Sequence, residues 1–375
     1  MEVRATAKVK IKASPEIIKT INIYKKGLQF CINQAWKRKI NNNIKLHPFV
    51  YSHLRSLGLQ SQLAVACIKQ ACGMVKKARS KPIINKASIR YNFPRSASFK
   101  NNMLSLATIK GRIKIPFNIP DCYKQYFSWN IRESLLRIDK KGRCFFLFCF
   151  AKDIKAKGSN FQNRVLGIDV GINNIAVTSN RRFFNAKQIK QKRIKFQRLR
   201  NKLQVKGTRS SKRLLKKIAG REKRFMAYWN HKISKEIVNC DAETIIMKNL
   251  KGIRKIKRGR RINYWINGWS FFQLQEFIKY KAERKGIKVV KVSPYITSQT
   301  CSNCGNLGSR SKGFFVCPHC SYSLNADLNA SYNLAKHHSK SDGVSASVTM
   351  PYIQADEHKV SIATECEVMD KCHKL

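Results

Sequence analysis

Residues 165–178 have the sequence Val-Leu-Gly-Ile-Asp-Val-Gly-Ile-Asn-Asn-Ile-Ala-Val-Thr. An apolar run with a single acid, Asp169, is followed by Gly171, the pair Asn173–Asn174 and a second apolar run. This pattern predicts a β-hairpin, because Gly and Asn tolerate the positive φ angles of tight turns. An acid in an apolar strand is costly to bury without a partner. A metal ion is one partner for Asp169, and a structural carboxylate satisfied by hydrogen bonds is the equally open alternative.

The charge of the chain predicts a polyanionic partner. Among 375 residues, Lys and Arg number 76 against 20 Asp and Glu, which gives a formal net charge of +56. A hydrophobic content of 43% argues against wholesale disorder and indicates a sizeable core. Nucleic acid is the first candidate partner and a membrane surface is its competitor. No run approaches the roughly 18 apolar residues of a membrane-spanning helix, and the N-terminus does not resemble a signal peptide.

Cysteine usage and patterning give the predicted organisation. Most of the 13 cysteines lie singly in apolar runs, which is typical of reduced cytosolic proteins. Residues 2–12 alternate apolar and basic side chains and predict a strand. Ser14 and Pro15 predict the start of a helical region that runs to about Lys77. Beyond it, short strands are predicted at 109–115, 133–138 and 144–151, so that residues 1–15 and 81–156 form one β unit with 16–80 as a helical insert.

Residues 181–235 contain 21 Lys or Arg and one acid, Glu222. Apolar residues at helical spacing predict two long helices with a turn near Gly207. A solvated charged face is the alternative, but ordinary surface helices mix both signs of charge. Eight further basic residues lie within 248–261. The side chains predicted to contact phosphates are Lys192, Arg193, Arg198, Arg200, Lys202, Arg209, Lys212, Arg213, Arg221, Arg224, Arg254, Lys257, Arg258 and Arg260.

Strand, helix and strand are predicted in turn after this basic region. Residues 242–250 and 287–292 have strand patterns, and Trp269–Lys285 has an amphipathic helical pattern with Ser270 as a candidate N-cap. Together with the opening hairpin they predict a mixed α/β layer.

Two Cys-x-x-Cys pairs, Cys301 with Cys304 and Cys317 with Cys320, are separated by twelve residues. Each pair aims two thiolates at one point, and two such pairs complete a tetrahedron around zinc. A redox dithiol or disulfides are the alternatives. Four thiolates leave no open coordination position, so this Zn²⁺ would be structural. The following segment, Leu324 to Ala335, predicts a helix with Asp327 in its first turn, where an acid is often only a partner of the helix dipole.

Several of these segments together resemble the transposon-encoded TnpB proteins, relatives of type V CRISPR effector nucleases. They are GIDVGINN, YWNHKISK at 228–235, NLKGI at 249–253, the helix at 269–285, TSQTCSNCG at 297–305 and NADLNASYNLA. The resemblance implies a RuvC-like domain of RNase H fold, with a mixed sheet and helices, at 164–298 and 323–338. It implies an inserted zinc ribbon at 299–322 and an N-terminal wedge β unit with a helical recognition insert. It also implies binding of a guide RNA from the transposon end and of a double-stranded DNA target, which the family cuts.

By resemblance, Asp169 is the first catalytic carboxylate and Asp327 the last. A two-metal site holds two Mg²⁺ ions roughly 3.5–4 Å apart and needs several oxygen ligands. The family's middle motif is a strand that ends in Glu, followed by Asp or Asn and Leu. Here the Glu position is held by Lys248, whose ammonium does not ligate Mg²⁺. Glu243 lies five residues away, on the opposite face of a strand and roughly 16–17 Å along it.

Four hypotheses follow. The chain binds guide RNA and DNA but cuts poorly or not at all; it is an active nuclease with a substitute ligand; it is a nuclease-dead, RNA-guided transcriptional repressor; or it is a zinc protein that binds RNA without guidance. The location expected is the cytoplasm of a prokaryote, in association with nucleic acid. The segment 339–375, with four basic and six acidic residues, is predicted to be a poorly ordered tail.

Overall fold

The computed structural model describes residues 1–86, 88–139, 141–156, 164–250, 259–268, 270–294 and 297–341. The chain divides into two compact units, one covering Glu2–Asp153 and the other beginning at Ile154. The predicted tail lies outside the described residues except for its first three positions. Within the described part of the chain, no helix has the length and apolar character needed to cross a membrane.

The N-terminal unit contains two antiparallel sheets and a helical layer. Its strands are β1 (Glu2–Ile11), β2 (Ser88–Tyr91), β3 (Ala97–Lys100), β4 (Met103–Thr108), β5 (Gly111–Pro116), β6 (Asn130–Ile131), β7 (Ser134–Ile138) and β8 (Cys144–Asp153). Its helices are α1 (Pro15–Lys37), α2 (Asn43–Ser56), α3 (Ser61–Val75) and α4 (Asp121–Lys124). The first sheet has the order β1-β8-β7-β2, with β6 also paired to β8, and the second has the order β3-β4-β5.

Strand β1 is amphipathic, as its alternating apolar and basic side chains predict. Alternate residues from Val3 to Ile11 are buried, and the strand pairs with β8 along its whole length. Aromatic side chains of β8, including Phe146, Phe148 and Phe150, are almost fully buried and pack against one another. Burial of this apolar face against α1 and α3 holds the sheet and helices in one core.

One sequence prediction in this unit needs correction. The single strand expected at 109–115 is wrong, because Ile109 and Lys110 form the turn between β4 and β5. The backbone N–H of Lys110 donates to Thr108 Oγ1 in that turn, which the apolar pattern of the segment does not indicate. The helical region is three helices, and α1 does begin at Pro15 with Ser14 Oγ accepting from the Ile17 amide.

The C-terminal unit is built on a five-stranded mixed sheet of order β11-β10-β9-β12-β13. The strands are β9 (Val165–Asp169), β10 (Asn174–Thr178), β11 (Phe183–Asn185), β12 (Thr244–Lys248) and β13 (Lys288–Val292). Strand β10 is antiparallel to both β9 and β11, whereas β12 runs parallel to both β9 and β13. The helices are α5 (Lys187–Lys206), α6 (Arg209–Val238), α7 (Gly259–Gly268), α8 (Phe271–Arg284) and α9 (Ala326–Ser341).

The predicted hairpin is present as β9 and β10, but its connection differs from the expected one. Gly171, Asn173 and Asn174 are all outside the positive φ region. Gly171 is needed for space, since a Cβ atom there would lie 3.0 Å from the carbonyl oxygen of Asn174. Gly167 in β9 is more constrained, because its Cβ would lie 2.0 Å from the carbonyl oxygen of Ser331. Glycine at this position lets α9 pack directly on β9.

Helices α5 and α6 meet at Gly207, whose φ of 63° gives the predicted turn. Helix α8 begins at Phe271, and Trp269 lies outside the described residues. Ser270 precedes α8 without a side-chain capping bond, which corrects its predicted role. Its Oγ instead accepts from Nδ2 of the buried Asn230 at 2.7 Å, and this contact joins α6 to the start of α8.

Candidate functional site

The ends of two parallel strands place Asp169 beside Lys248. Each is the last residue of its strand, β9 or β12, and the preceding residues Ile168 and Met247 are paired in register. Lys248 Nζ lies 2.7 Å from Asp169 Oδ1, and the two side chains are only 11% and 8% exposed. The position expected to carry the middle carboxylate is therefore occupied by an ammonium that forms a buried ion pair.

Asp327 reaches the same area from the first turn of α9. Its Oδ2 accepts from Asn174 Nδ2 at 3.0 Å, and its Oδ1 accepts from a terminal nitrogen of Arg310 at 2.9 Å. Asn174 begins β10, and Arg310 lies in β14 (Ser309–Ser311) between the two cysteine pairs. Neither contact with Asp327 is predicted from the sequence. Asn174 is predicted only as a turn residue, and nothing local in the sequence indicates where Arg310 points.

Burial and charge set the protonation of this cluster. Burial raises the pKa of Asp169, while the Lys248 ammonium opposes that rise. The Asp327 carboxylate also raises the pKa of Asp169 and the Arg310 guanidinium lowers it, so Lys248, Asp327 and Arg310 all lie within electrostatic range of Asp169. Two carboxylates and two cations give the cluster a net charge of zero.

The donor set does not fit a two-metal magnesium centre. Mg²⁺ takes oxygen ligands and usually needs carboxylates to hold it. Of the four charged groups, two carry N–H donors only and sit against the carboxylates. Among the described residues, no third acid joins Asp169 and Asp327 in a group able to hold a metal ion.

The four cysteines do form such a group. The Sγ atoms of Cys301, Cys304, Cys317 and Cys320 all lie within 4.8 Å of one another. The Cys301–Cys320 and Cys304–Cys317 sulfur pairs are 3.7 and 3.5 Å apart. A tetrahedral zinc with Zn–S bonds of about 2.3 Å would hold its sulfurs about 3.8 Å apart. The chemistry and spacing of these donors therefore fit a structural Zn²⁺ ion.

Short strands and a close-packed glycine shape this cysteine cluster. The strands β14, β15 (Phe314–Val316) and β16 (Ser323–Asn325) form a three-stranded sheet. A Cβ at Gly308 would lie 2.5 Å from the ring of Phe315, which is fully buried, so glycine is required at that contact.

Asparagines on α9 tie the first cysteine pair to the helix that carries Asp327. Asn329 Oδ1 accepts from the Ser302 amide at 2.8 Å, and its Nδ2 donates to the Thr300 carbonyl at 2.8 Å. Asn333 Nδ2 donates to the same carbonyl at 2.7 Å. The cysteine cluster and Asp327 are thus linked through α9 and its asparagines.

Most of the predicted phosphate-contacting residues within the described part of the chain lie on exposed positions of α5 and α6. The exposed members are Lys192, Arg198, Lys202, Arg209, Lys212, Arg213, Arg221 and Arg224. Arg200 is half-buried and pairs with Glu222. Arg254, Lys257 and Arg258 lie outside the described residues, as does the side chain of Arg260.

The prediction that Arg193 lies on this exposed basic surface is wrong. Its side chain is 1% exposed, and its guanidinium lies 5.4 Å from the ring centre of Tyr264 and 4.9 Å from that of Trp265. Burial lowers the pKa of Arg193, and Glu222 at 3.7 Å partly offsets that effect. A signal was present in the sequence, because Arg193 shares one helical stripe with the buried Ile189 and Leu203.

Comparison with known proteins covers the same parts of the chain. The family model described as "Probable transposase" matches residues 155–254, and the model described as "Cas12f1-like, TNB domain" matches residues 271–334. A TnpB-like protein of Methanocaldococcus jannaschii is 34% identical over 150 residues, which cover 38% of this chain and 54% of the relative. Over these segments the chain is similar to proteins of the TnpB family. The first match includes Asp169 and Lys248, and the second includes the four cysteines, Arg310 and Asp327.

Two further relatives are CRISPR effectors. The CRISPR-associated endodeoxyribonuclease Cas12f1 of Sulfoacidibacillus thermotolerans is 42% identical over 113 residues, which cover 28% of this chain and 26% of the relative. A cryo-EM structure of a Cas12f1–sgRNA–target DNA complex aligns with a TM-score of 0.40 and 16% identity, over 89% of this chain and 99% of that one. The chain thus spans about a quarter to a half of the length of the two curated relatives.

Proposed function

We propose that this TnpB-family protein is an RNA-guided DNA-binding protein whose RuvC-like site does not cleave DNA. In this proposal residues 164–298 and 323–338 form the RuvC-like domain of RNase H fold, and 299–322 form a zinc ribbon. Residues 1–15 and 81–156 form the wedge unit and 16–80 the recognition insert. The order and direction of the strands in the mixed sheet support the RNase H assignment, and the relatives named as endodeoxyribonucleases support DNA as the substrate class.

The proposed loss of cleavage rests on one observation. Lys248 Nζ contacts Asp169 Oδ1 at 2.7 Å, at the position where a metal ligand is expected. A metal ion would have to displace a buried ammonium from its carboxylate and would then face that positive charge at close range. The exposed basic side chains of α5 and α6 and the cysteine cluster are both retained, which supports continued binding of nucleic acid. Guide RNA and a double-stranded DNA target are the proposed partners.

The test uses the full chain purified with its copurifying RNA. Sequencing that RNA defines the guide, and a plasmid with the matching target is then incubated with the complex and Mg²⁺. We expect sequence-specific binding without cleavage by the natural chain, and at least about 100-fold faster cleavage by Lys248→Glu, because the charge at the metal position is reversed.

Two control variants test whether the charge of the side chain at position 248, and not its size, prevents cleavage. Lys248→Met removes the ammonium without adding a ligand and should remain inactive, and Asp169→Asn combined with Lys248→Glu should lose the restored cleavage. Guided cleavage by the natural chain at the rate of Lys248→Glu would refute the proposal. Binding that is indifferent to the guide sequence would refute the RNA-guided part of it.

A further inference from the structure

The misfit of the cluster to magnesium suggests what the cluster binds in place of metal. In a two-metal site, the cations lie between the carboxylates and the phosphodiester and cancel the repulsion between them. Here Lys248 and Arg310 already occupy positions against Asp169 and Asp327, at 2.7 and 2.9 Å. The chain therefore supplies from its own side chains the positive charge that the ions would bring.

We infer that Lys248 and Arg310 form a phosphate-binding site that holds one strand of DNA without a divalent metal ion. This inference rests on the proposed function, because it takes the substrate class to be DNA. It adds a ligand, a phosphodiester, and a binding role for two residues that would otherwise only silence the site.

The net charge of the cluster affects whether a phosphodiester can approach it without a metal ion. With Lys248 the cluster of Asp169, Asp327, Lys248 and Arg310 is neutral, whereas a glutamate at position 248 would leave a net charge of −2. A phosphodiester approaching the glutamate form without metal would meet net repulsion in a partly buried site, where screening by solvent is weak. The lysine form removes that barrier.

Lys248 and Arg310 also have N–H donors with which to bind a phosphate. A lysine ammonium has three N–H donors and an arginine guanidinium has five, and both are suited to phosphate oxygens. Each makes its ion pair with a single carboxylate oxygen, so donors remain for a phosphate. The planar arginine guanidinium is also shaped to donate two N–H groups to two oxygens of one phosphate.

The side chains of the cluster differ in their exposure to solvent. The Arg310 side chain is 41% exposed, that of Asp327 is 16% exposed, and that of Lys248 is 11% exposed. Arg310 is therefore the group of the cluster that is most accessible to an incoming strand. Lys248 is the least accessible of these three side chains.

Photocrosslinking reports on this site directly. The probe is a short oligothymidylate DNA carrying thiothymidine, bound to the full chain and crosslinked with long-wave ultraviolet light, with the crosslinked peptides identified by mass spectrometry. For the natural chain we expect crosslinks near Asn174 or Arg310 with equal yield in EDTA and in Mg²⁺. For Lys248→Glu the yield in EDTA should fall about tenfold and should return with Mg²⁺.

The matched control is Lys288→Glu, the same charge reversal on the exposed first residue of the neighbouring strand β13. It should behave as the natural chain does. Arg310→Gln, a change at a more exposed side chain, provides a second variant if Lys248→Glu does not fold, and it should lower the yield about threefold in both buffers.

Three results would overturn the inference. They are natural-chain crosslinks that require Mg²⁺, a Lys248→Glu yield in EDTA equal to that of the natural chain, and crosslinking of an RNA oligonucleotide alone. The probe needs no guide, so the two proposals fail separately. Loss of guided plasmid binding with a persistent metal-independent crosslink would refute RNA guidance and leave this phosphate site standing.

Discussion

The ion pair of Asp169 and Lys248 bears on both the chemistry and the stability of the site. A buried ion pair gains little over well-packed apolar residues, but removal of one partner leaves a buried charge without compensation. Because Lys248 is the main group that opposes the burial-induced rise in the pKa of Asp169, it also determines how stability varies with pH.

The first prediction concerns Lys248→Met. A raised folded pKa makes the Asp169 contribution to stability full below about pH 4 and progressively lost as pH rises through that folded pKa. The variant raises this pKa further, so the loss extends to higher pH. We expect about 3 kcal/mol lower stability than the natural chain at neutral pH, with the difference shrinking under acid conditions.

Urea unfolding at several pH values measures this difference, with hydrogen exchange of β9 and β12 showing which unit is affected. Lys288→Met is the control and should be neutral at every pH. A pH-independent loss would show that packing, and not the charge of Asp169, explains the effect. Adding Asp169→Asn to Lys248→Met should recover most of the stability.

The second prediction separates two arginines of the same helix. Arg193→Ala should destabilise the C-terminal unit by about 2 kcal/mol, because it removes the contacts with Tyr264, Trp265 and Glu222. Arg198→Ala, at an exposed position, should change stability by less than about 0.5 kcal/mol and weaken nucleic-acid binding. Thermal unfolding and salt-controlled binding assays distinguish the two. Equal effects of both variants on stability would contradict the structural role of Arg193.

At the scale of elements, the cysteine cluster and α9 behave as one assembly. The Thr300 carbonyl and the Ser302 amide, which flank Cys301, are bound by Asn329 and Asn333 of α9. Disorder in the cluster therefore reaches the first turn of α9 and the Asp327 carboxylate.

The third prediction follows from that assembly. The purified chain should release one zinc ion when its thiols are modified, and Cys301→Ser should abolish that release. Metal removal should speed hydrogen exchange in the first turns of α9 at least about tenfold. Cys122→Ser, at an exposed cysteine outside the cluster, is the control. Unchanged exchange in α9 after metal loss would contradict the coupling.

At the scale of the whole molecule, the net charge of +56 should dominate the proposed interaction with nucleic acid. Binding that neutralises many phosphates releases counterions, and the affinity then falls steeply with salt.

The fourth prediction is a logarithmic salt slope of about −5 or steeper for nucleic-acid binding. Replacement of Arg198, Lys202, Lys212 and Arg213 by Glu should flatten that slope by about 3 to 4, because four phosphate contacts are lost. Fluorescence anisotropy over a salt series measures both values, with Lys288→Glu as the control. A slope near zero for the natural chain would contradict phosphate binding altogether.

Much of the architecture was predictable because its signals are local. The hairpin around Asp169, the two basic helices joined at Gly207 and the paired Cys-x-x-Cys motifs each depend on residues close together in the chain. Element ends were less predictable, as at Ile109 and Lys110, because an apolar run does not reveal where a turn interrupts it.

The motifs that resemble TnpB, the basic helices, the paired cysteines and a lysine where that resemblance implies a glutamate can all be derived from the sequence alone. The contact of Lys248 with Asp169 is visible only in the fold, because it joins residues on two strands that are distant in the chain. The fold also shows that Arg310 and Asn174 hold Asp327, and that Arg193 is buried. Charges and hydrogen bonds act over a few ångströms, so these pairings depend on strand register and helix packing that no local pattern encodes.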